Sequence, residues 1–105
     1  MPDLTITRED TDARHGRYVA RIAGIDAEAE LTFTRRGKGQ VSADHTGAPE
    51  ALRGTGAAAA LVDAMVADAR RQGFRIVPLC SYVADRLAKN PEWADVFATA
   101  PEERP

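Results

Sequence analysis

The chain has 105 residues, 44% of them hydrophobic and 29% charged, and a formal net charge of −2. That length builds one core rather than two, and the charge balance lacks the surplus of Lys and Arg that nonspecific nucleic-acid binding requires. One cysteine, Cys80, and two histidines, His15 and His45, exclude an internal disulfide and predict no metal site, and no apolar run is long enough for a membrane span. Met1 to Leu4 shows no basic segment leading into an apolar one, so no targeting signal is read and the cytoplasm is the expected location.

Leu4 to Thr7 alternates apolar and polar residues, the period of a half-buried strand, and Arg8 to Gly16 reads as a polar turn. Tyr18 to Ala23 leads through Gly24-Ile25-Asp26 into a second alternating stretch, Ala27 to Thr34, with Ala29, Leu31 and Phe33 on one face. A hairpin is predicted there. Arg35 to Gly39 is a second turn whose cationic residues read as a solvated tip, and Gln40 to Thr46 returns as a further strand.

Gly47 to Glu50 breaks the strand pattern, and from Gly54 the period changes to that of a helix. Ala58, Leu61, Val62, Met65, Val66 and Ala69 form one apolar stripe. Arg70 and Arg71 in the last turn complement the macrodipole, and Gly73 supplies a terminating conformation. Phe74 to Leu79 reads as a strand, placed parallel to its neighbour by the crossover helix. Cys80 to Lys89 is helical again, with Val83, Leu87 and Tyr82 turned inward, and Asn90-Pro91 ends it. Pro91 opens a last short helix through Trp93, Val96 and Phe97, and Pro101 to Pro105 reads as a frayed tail of a single domain spanning the whole chain. The predicted class is α+β: a mixed, mainly antiparallel twisted sheet with a central helix.

The chemistry concentrates in Leu52 to Ala58. A helix start carries unsatisfied N–H groups and the positive end of the dipole, so it attracts anions. Gly54 and Gly56 let an anion approach the backbone, and Ala57 and Ala58 favour the helix that follows. Such a turn suits a diphosphate. The same segment also satisfies Gly-x-Gly-x-x-Ala, but a dinucleotide fold needs a strand running directly into the turn and an acidic residue about 20 positions on. Pro49 interrupts the approach and Leu79-Cys80 supplies no carboxylate.

On Arg53, Gly54-Thr55, Gly56, Ala57 and Ala58 the chain resembles the GCN5-related N-acetyltransferases, whose pyrophosphate motif is Gln or Arg, two residues, Gly, one residue, then Gly or Ala. It is most similar to their minimal single-domain branch through His45-Thr46, Pro49, Leu52 to Ala58, Pro78 to Val83 and Pro91-Glu92-Trp93, a likeness running from Tyr18 to Phe97. Asn90 stands where that branch commonly has His, and Ala48 where it often has Val.

The resemblance implies acetyl-CoA as cosubstrate and an amine acceptor, either a small molecule or a protein. Arg53, Gly54, Thr55, Gly56, Ala57 and Ala58 are the expected coenzyme A contacts, with Thr46, Ser81 and Asn90 as further candidates; for Ser81 and Asn90 helix capping is the competing role. Acyl transfer needs a base and a proton donor. His45 carries an imidazole, a side chain suited to general base catalysis, or is a solvent-exposed strand end. Cys80, at a strand exit, is nucleophile, acid or small core residue. Tyr82 is a candidate acid whose helical spacing also suits packing. A noncatalytic coenzyme A-binding or protein-interaction module on the same fold is the alternative function.

Overall fold

Alternating residues build the first half of the chain as a continuous run of antiparallel strands. A computed structural model describes residues 3–98. In it β1 is Leu4–Asp10, β2 is His15–Ile22, β3 is Glu28–Gly37 and β4 is Gln40–Gly47; α1 (Ala57–Gln72) then crosses over to β5 (Arg75–Pro78), and α2 (Ser81–Lys89) follows. The five strands lie in sequence order in one sheet. The first four are antiparallel and β5 is parallel to β4, as the crossover requires. This is the expected α+β class with a mixed, mainly antiparallel sheet.

Several boundaries move from the expected ones; β3, for one, runs to Gly37 through Arg35 and Arg36, which were expected in a turn. β1 continues to Asp10, because Arg8, Glu9 and Asp10 pair with Tyr18, Arg17 and Gly16 and so keep the ladder going through polar residues. β2 correspondingly begins at His15, leaving a far shorter turn than Arg8 to Gly16. α1 begins at Ala57 and not at Gly54, since Gly54 and Gly56 both take left-handed backbone angles, φ 78° and 85°, that no right-handed helix contains. Ala57, rather than Ala58, is therefore the first buried residue of the stripe.

Along α1 the side chains of Leu61, Val62, Met65, Val66 and Ala69 are buried against Tyr18, Ala20, Leu31 and Phe33 on one face of the sheet. Burial of each large side chain stabilises the fold by about 1.5–3 kcal/mol. The opposite face of the sheet is polar, and Arg17 is gripped there by Glu9, Glu28 and Glu30 at 2.8–3.0 Å. Gly73, with φ 84°, ends α1, its N–H donating to the Ala69 carbonyl at 2.8 Å. Residues Pro91–Val96 form a 3-10 helix, and Trp93, Val96 and Phe97 are buried as the spacing predicted. Among the described residues no helix is long and apolar enough to cross a membrane. The expected frayed tail, Pro101 to Pro105, lies outside the described residues.

Candidate functional site

The site forms where two neighbouring strands part. β4 pairs with β5 only from Gln40 to Ala43, opposite Arg75 to Pro78. Pro78 brings no N–H to a ladder, and the chain then turns so that the Cys80 N–H donates to the Ala43 carbonyl at 2.9 Å. β4 continues to Gly47 with β3 alone on its other side, so a wedge opens between Asp44 to Gly47 and Leu79-Cys80. A bulge reinforces it. Thr32 pairs with His45 and Phe33 with Ala43, leaving Asp44 as the extra residue, and Asp44 is held by hydrogen bonds from Thr34 Oγ1 at 2.5 Å and Ser42 Oγ at 2.6 Å.

That bulge decides which predicted residues meet. Thr46 pairs with Leu31 and so faces α1, whereas His45 pairs with Thr32 and faces the polar side of the sheet, where it is exposed. Cys80 packs against the core on the α1 side, and its Sγ lies 3.3 Å from Thr46 Oγ1. The sheet thus brings Thr46 and Cys80 together and sets His45 on the other face.

Cys80 is the N-cap of α2. Partial burial pushes its thiol up, but hydrogen bonds from the Thr46 hydroxyl and from the backbone N–H groups of Val83, Tyr82 and Thr46 outweigh this and hold it below the ordinary thiol value. A thiolate at a helix N-terminus is stabilised by the same donors and dipole that bind other anions.

The glycine turn lies across a groove from α2. A short 3-10 helix, Glu50–Leu52, buries Leu52 beneath it. Thr55 Oγ1 donates to the Leu52 carbonyl at 2.6 Å and accepts from the Ala57 N–H at 3.3 Å, so Thr55 fixes the turn from within. Among the described residues no acceptor meets the N–H groups of Gly54, Gly56, Ala58 and Ala59, the first intrahelical bond being that from Ala60 to Gly56. A Cβ built on Gly54 or Gly56 would meet no protein atom within 4 Å and would project into open space. No acidic residue sits in the first turn of α1 to repel an anion.

The groove, about 390 Å³, is bounded by Arg53, Gly54 and Gly56 on one side and Tyr82 on the other, with Leu52 and Ala57 among its lining residues. The free donors and the cradle that a Cβ would fill fit a diphosphate. Tyr82 is half-buried at this wall, while Ser81 is exposed beside it. Asn90 lies at the opposite end of α2, where its Nδ2 donates to the Arg86 carbonyl at 2.8 Å, the capping role weighed for it above. Leu79, at 52% the exposed large hydrophobic residue of the described chain, sits next to Cys80 at the mouth of the wedge; as one more apolar residue of a predicted strand it gave no separate signal.

A sheet parted beside a glycine turn, with free donors at the head of the crossover helix, is the architecture of an acyl-CoA-dependent N-acyltransferase, the class to which the sequence motif pointed. A family model described as GCN5-related N-acetyl-transferase matches residues 17–96, and the chain belongs to that family. The match runs from Arg17, within β2, to Val96 and takes in the whole of the wedge and turn. Its members use acetyl-CoA and an acceptor.

Proposed function

We propose that this protein binds acetyl-CoA along the groove between the glycine turn and Tyr82 and transfers the acetyl group to an amine. The observation that carries this reading is the placement of two features on one groove and wedge: unoccupied backbone donors at Gly56, Ala58 and Ala59, and a polarised thiol at Cys80. The turn receives the diphosphate, with Arg53 at its rim supplying positive charge. The acetyl thioester then lies toward the wedge.

In the proposed reaction the thiol of Cys80 gives its proton to solvent and its sulfur attacks the thioester carbonyl; the bond from that carbon to the coenzyme A sulfur breaks, and the departing thiolate takes a proton from the Tyr82 hydroxyl, which solvent restores. The amine nitrogen next attacks the acetyl carbon, the bond to Cys80 breaks and the amine proton returns to the Cys80 sulfur. The lowered Cys80 pKa supports the nucleophilic role over the acid role, because a nucleophile works as thiolate. In this reading Tyr82, a lining residue of the groove, is the donor to the leaving thiolate.

The test is titration of the purified protein with coenzyme A and acetyl-CoA by thermal unfolding, followed by intact-mass analysis and a thiol-release assay against a panel of amines. Stabilisation by both ligands, one acetyl group added at Cys80 and release of free thiol with some amine are expected. Stabilisation without acetylation or release identifies a binding module, and no stabilisation by either ligand overturns the reading.

A further inference from the structure

On the polar face of the sheet the carboxylates of Glu9, Glu28 and Glu30 are paired with Arg17 across the strands. Asp44, on the same face, is held differently. Among the described residues its carboxylate meets no cation and accepts two hydroxyl bonds instead, from Thr34 Oγ1 at 2.5 Å and Ser42 Oγ at 2.6 Å.

Both donors stand opposite each other, Thr34 on β3 and Ser42 on β4, so the bulged residue is tied back to the pair that precedes it on that face. Ser42 is completely buried, and a buried hydroxyl needs a partner. Its other acceptor among the described residues is the Thr34 carbonyl at 3.5 Å, a much longer contact. The conformation that sets Asp44 outside the ladder is thus the one in which Ser42 is satisfied.

Beyond the bulge His45, Thr46 and Gly47 pair with Thr32, Leu31 and Glu30. A one-residue change of register exchanges the faces of every residue that follows it. The offset gives Thr46 to the α1 side, where its hydroxyl lies 3.3 Å from the Cys80 sulfur and its backbone N–H donates to the same atom. Two donors to the thiol therefore depend on a residue whose side chain is bonded on the opposite face of the sheet.

We infer that Asp44 is a positioning residue for Cys80: its two hydroxyl bonds hold the bulge, and the bulge holds the Thr46 hydroxyl and N–H on the thiol. Negative charge is not what the clamp needs, since both donors are neutral hydroxyls. A side-chain amide, accepting from one hydroxyl and donating to the other, fits the same place. The catalytic consequence rests on the proposed role of Cys80, whereas the clamp is read from the thiol itself, so failure of one is told from failure of the other.

The test is the pH profile of iodoacetamide alkylation at Cys80, the single cysteine of the chain, followed by intact mass. It is run in a His45→Ala background, where no imidazole can replace the Thr46 hydroxyl through an altered register; Tyr82, the titratable residue of α2 on the groove wall, is present throughout. Asp44→Ala should move the profile upward and slow alkylation at neutral pH by about two- to tenfold, the worth of one hydrogen bond. Asp44→Asn should restore most of the rate. Adding Thr46→Val to Asp44→Ala should change nothing further, because the hydroxyl has already left the sulfur. Tyr18→Phe weakens the fold through its bond to Asp68 near the other end of α1 and should leave the profile in place, a control for lost stability. Thr34→Val removes one of the two clamp bonds and should give a smaller shift of the same sign, which keeps the test open if Asp44→Ala does not fold. An unmoved profile in Asp44→Ala or Thr34→Val, no recovery in Asp44→Asn, or a further shift on adding Thr46→Val would overturn the inference.

Discussion

Gly56→Ala separates the geometry of the turn from its role. Gly56 holds φ 85° at the N-cap of α1, so an added Cβ meets backbone strain, of about 1–2 kcal/mol, and no steric clash. A domain of this size is stable by about 5–15 kcal/mol, so the variant folds, with a midpoint lowered by about 5–15 °C. At about a hundredfold excess over Kd, coenzyme A should stabilise the wild type by about 2.7 kcal/mol, a rise of about 10–20 °C on the same scale. In the variant that rise should nearly vanish, because the methyl group takes the open space from which a phosphate oxygen would reach the N–H groups of Gly56 and Ala58. Gly39→Ala is the control: Gly39 has φ 75° and no neighbour within 4 Å of its Cβ, but it lies at the far end of the sheet. It should show the same strain and keep the full ligand-induced rise. Differential scanning fluorimetry with and without coenzyme A reads both quantities, and a Gly56→Ala protein that keeps the wild-type rise refutes the placement of the diphosphate.

Thr46→Val removes the hydroxyl that faces Cys80, so the pH profile of iodoacetamide alkylation should move upward toward that of an ordinary thiol; an unmoved profile would show that the backbone donors alone set it. Tyr18→Phe deletes a buried donor to the Asp68 carboxylate, and urea unfolding should show a loss of about 1.5–3 kcal/mol. Asp12 is held down to about 2 from 3.8 by backbone hydrogen bonds from Arg14 and His15. Its contribution is therefore complete above 3.8 and lost as pH falls toward about 2, and Asp12→Ala should flatten acid unfolding in that window alone.

The sequence shows most plainly what repeats. Alternation through Ala29, Leu31 and Phe33, and helical spacing through Leu61, Val62, Met65 and Val66, report burial directly, and the same residues form the core. Periodicity is silent about Arg8, Glu9 and Asp10, whose place in β1 comes from ladder pairing and from ion pairs such as Glu9 with Arg17 across the strands. It is silent too about Asp68, a carboxylate inside the apolar stripe whose buried partner, Tyr18, lies 50 residues away. The glycine turn was legible because left-handed backbone at Gly54 and Gly56 leaves its mark as absent side chains. The relation between His45 and Cys80 was not, because it depends on a single extra residue.

Without the bulge at Asp44, strict alternation from Ala43 would put His45 on the α1 side and Thr46 on the polar side. The two carboxylate-anchored bonds from Thr34 and Ser42 hold that extra residue, so three side chains far from the groove determine which side chain faces Cys80. Pro78 acts on the other arm, ending the ladder at Ala43 and letting the Cys80 N–H close the base of the wedge. Register and chemistry are coupled here. The bulge turns Thr46 toward the thiol, the thiol caps α2, and α2 presents Tyr82 to the glycine turn. Each of these residues has its position from backbone geometry, which is why the glycine turn is a local feature of the chain while the surroundings of the Cys80 thiol are set by the sheet.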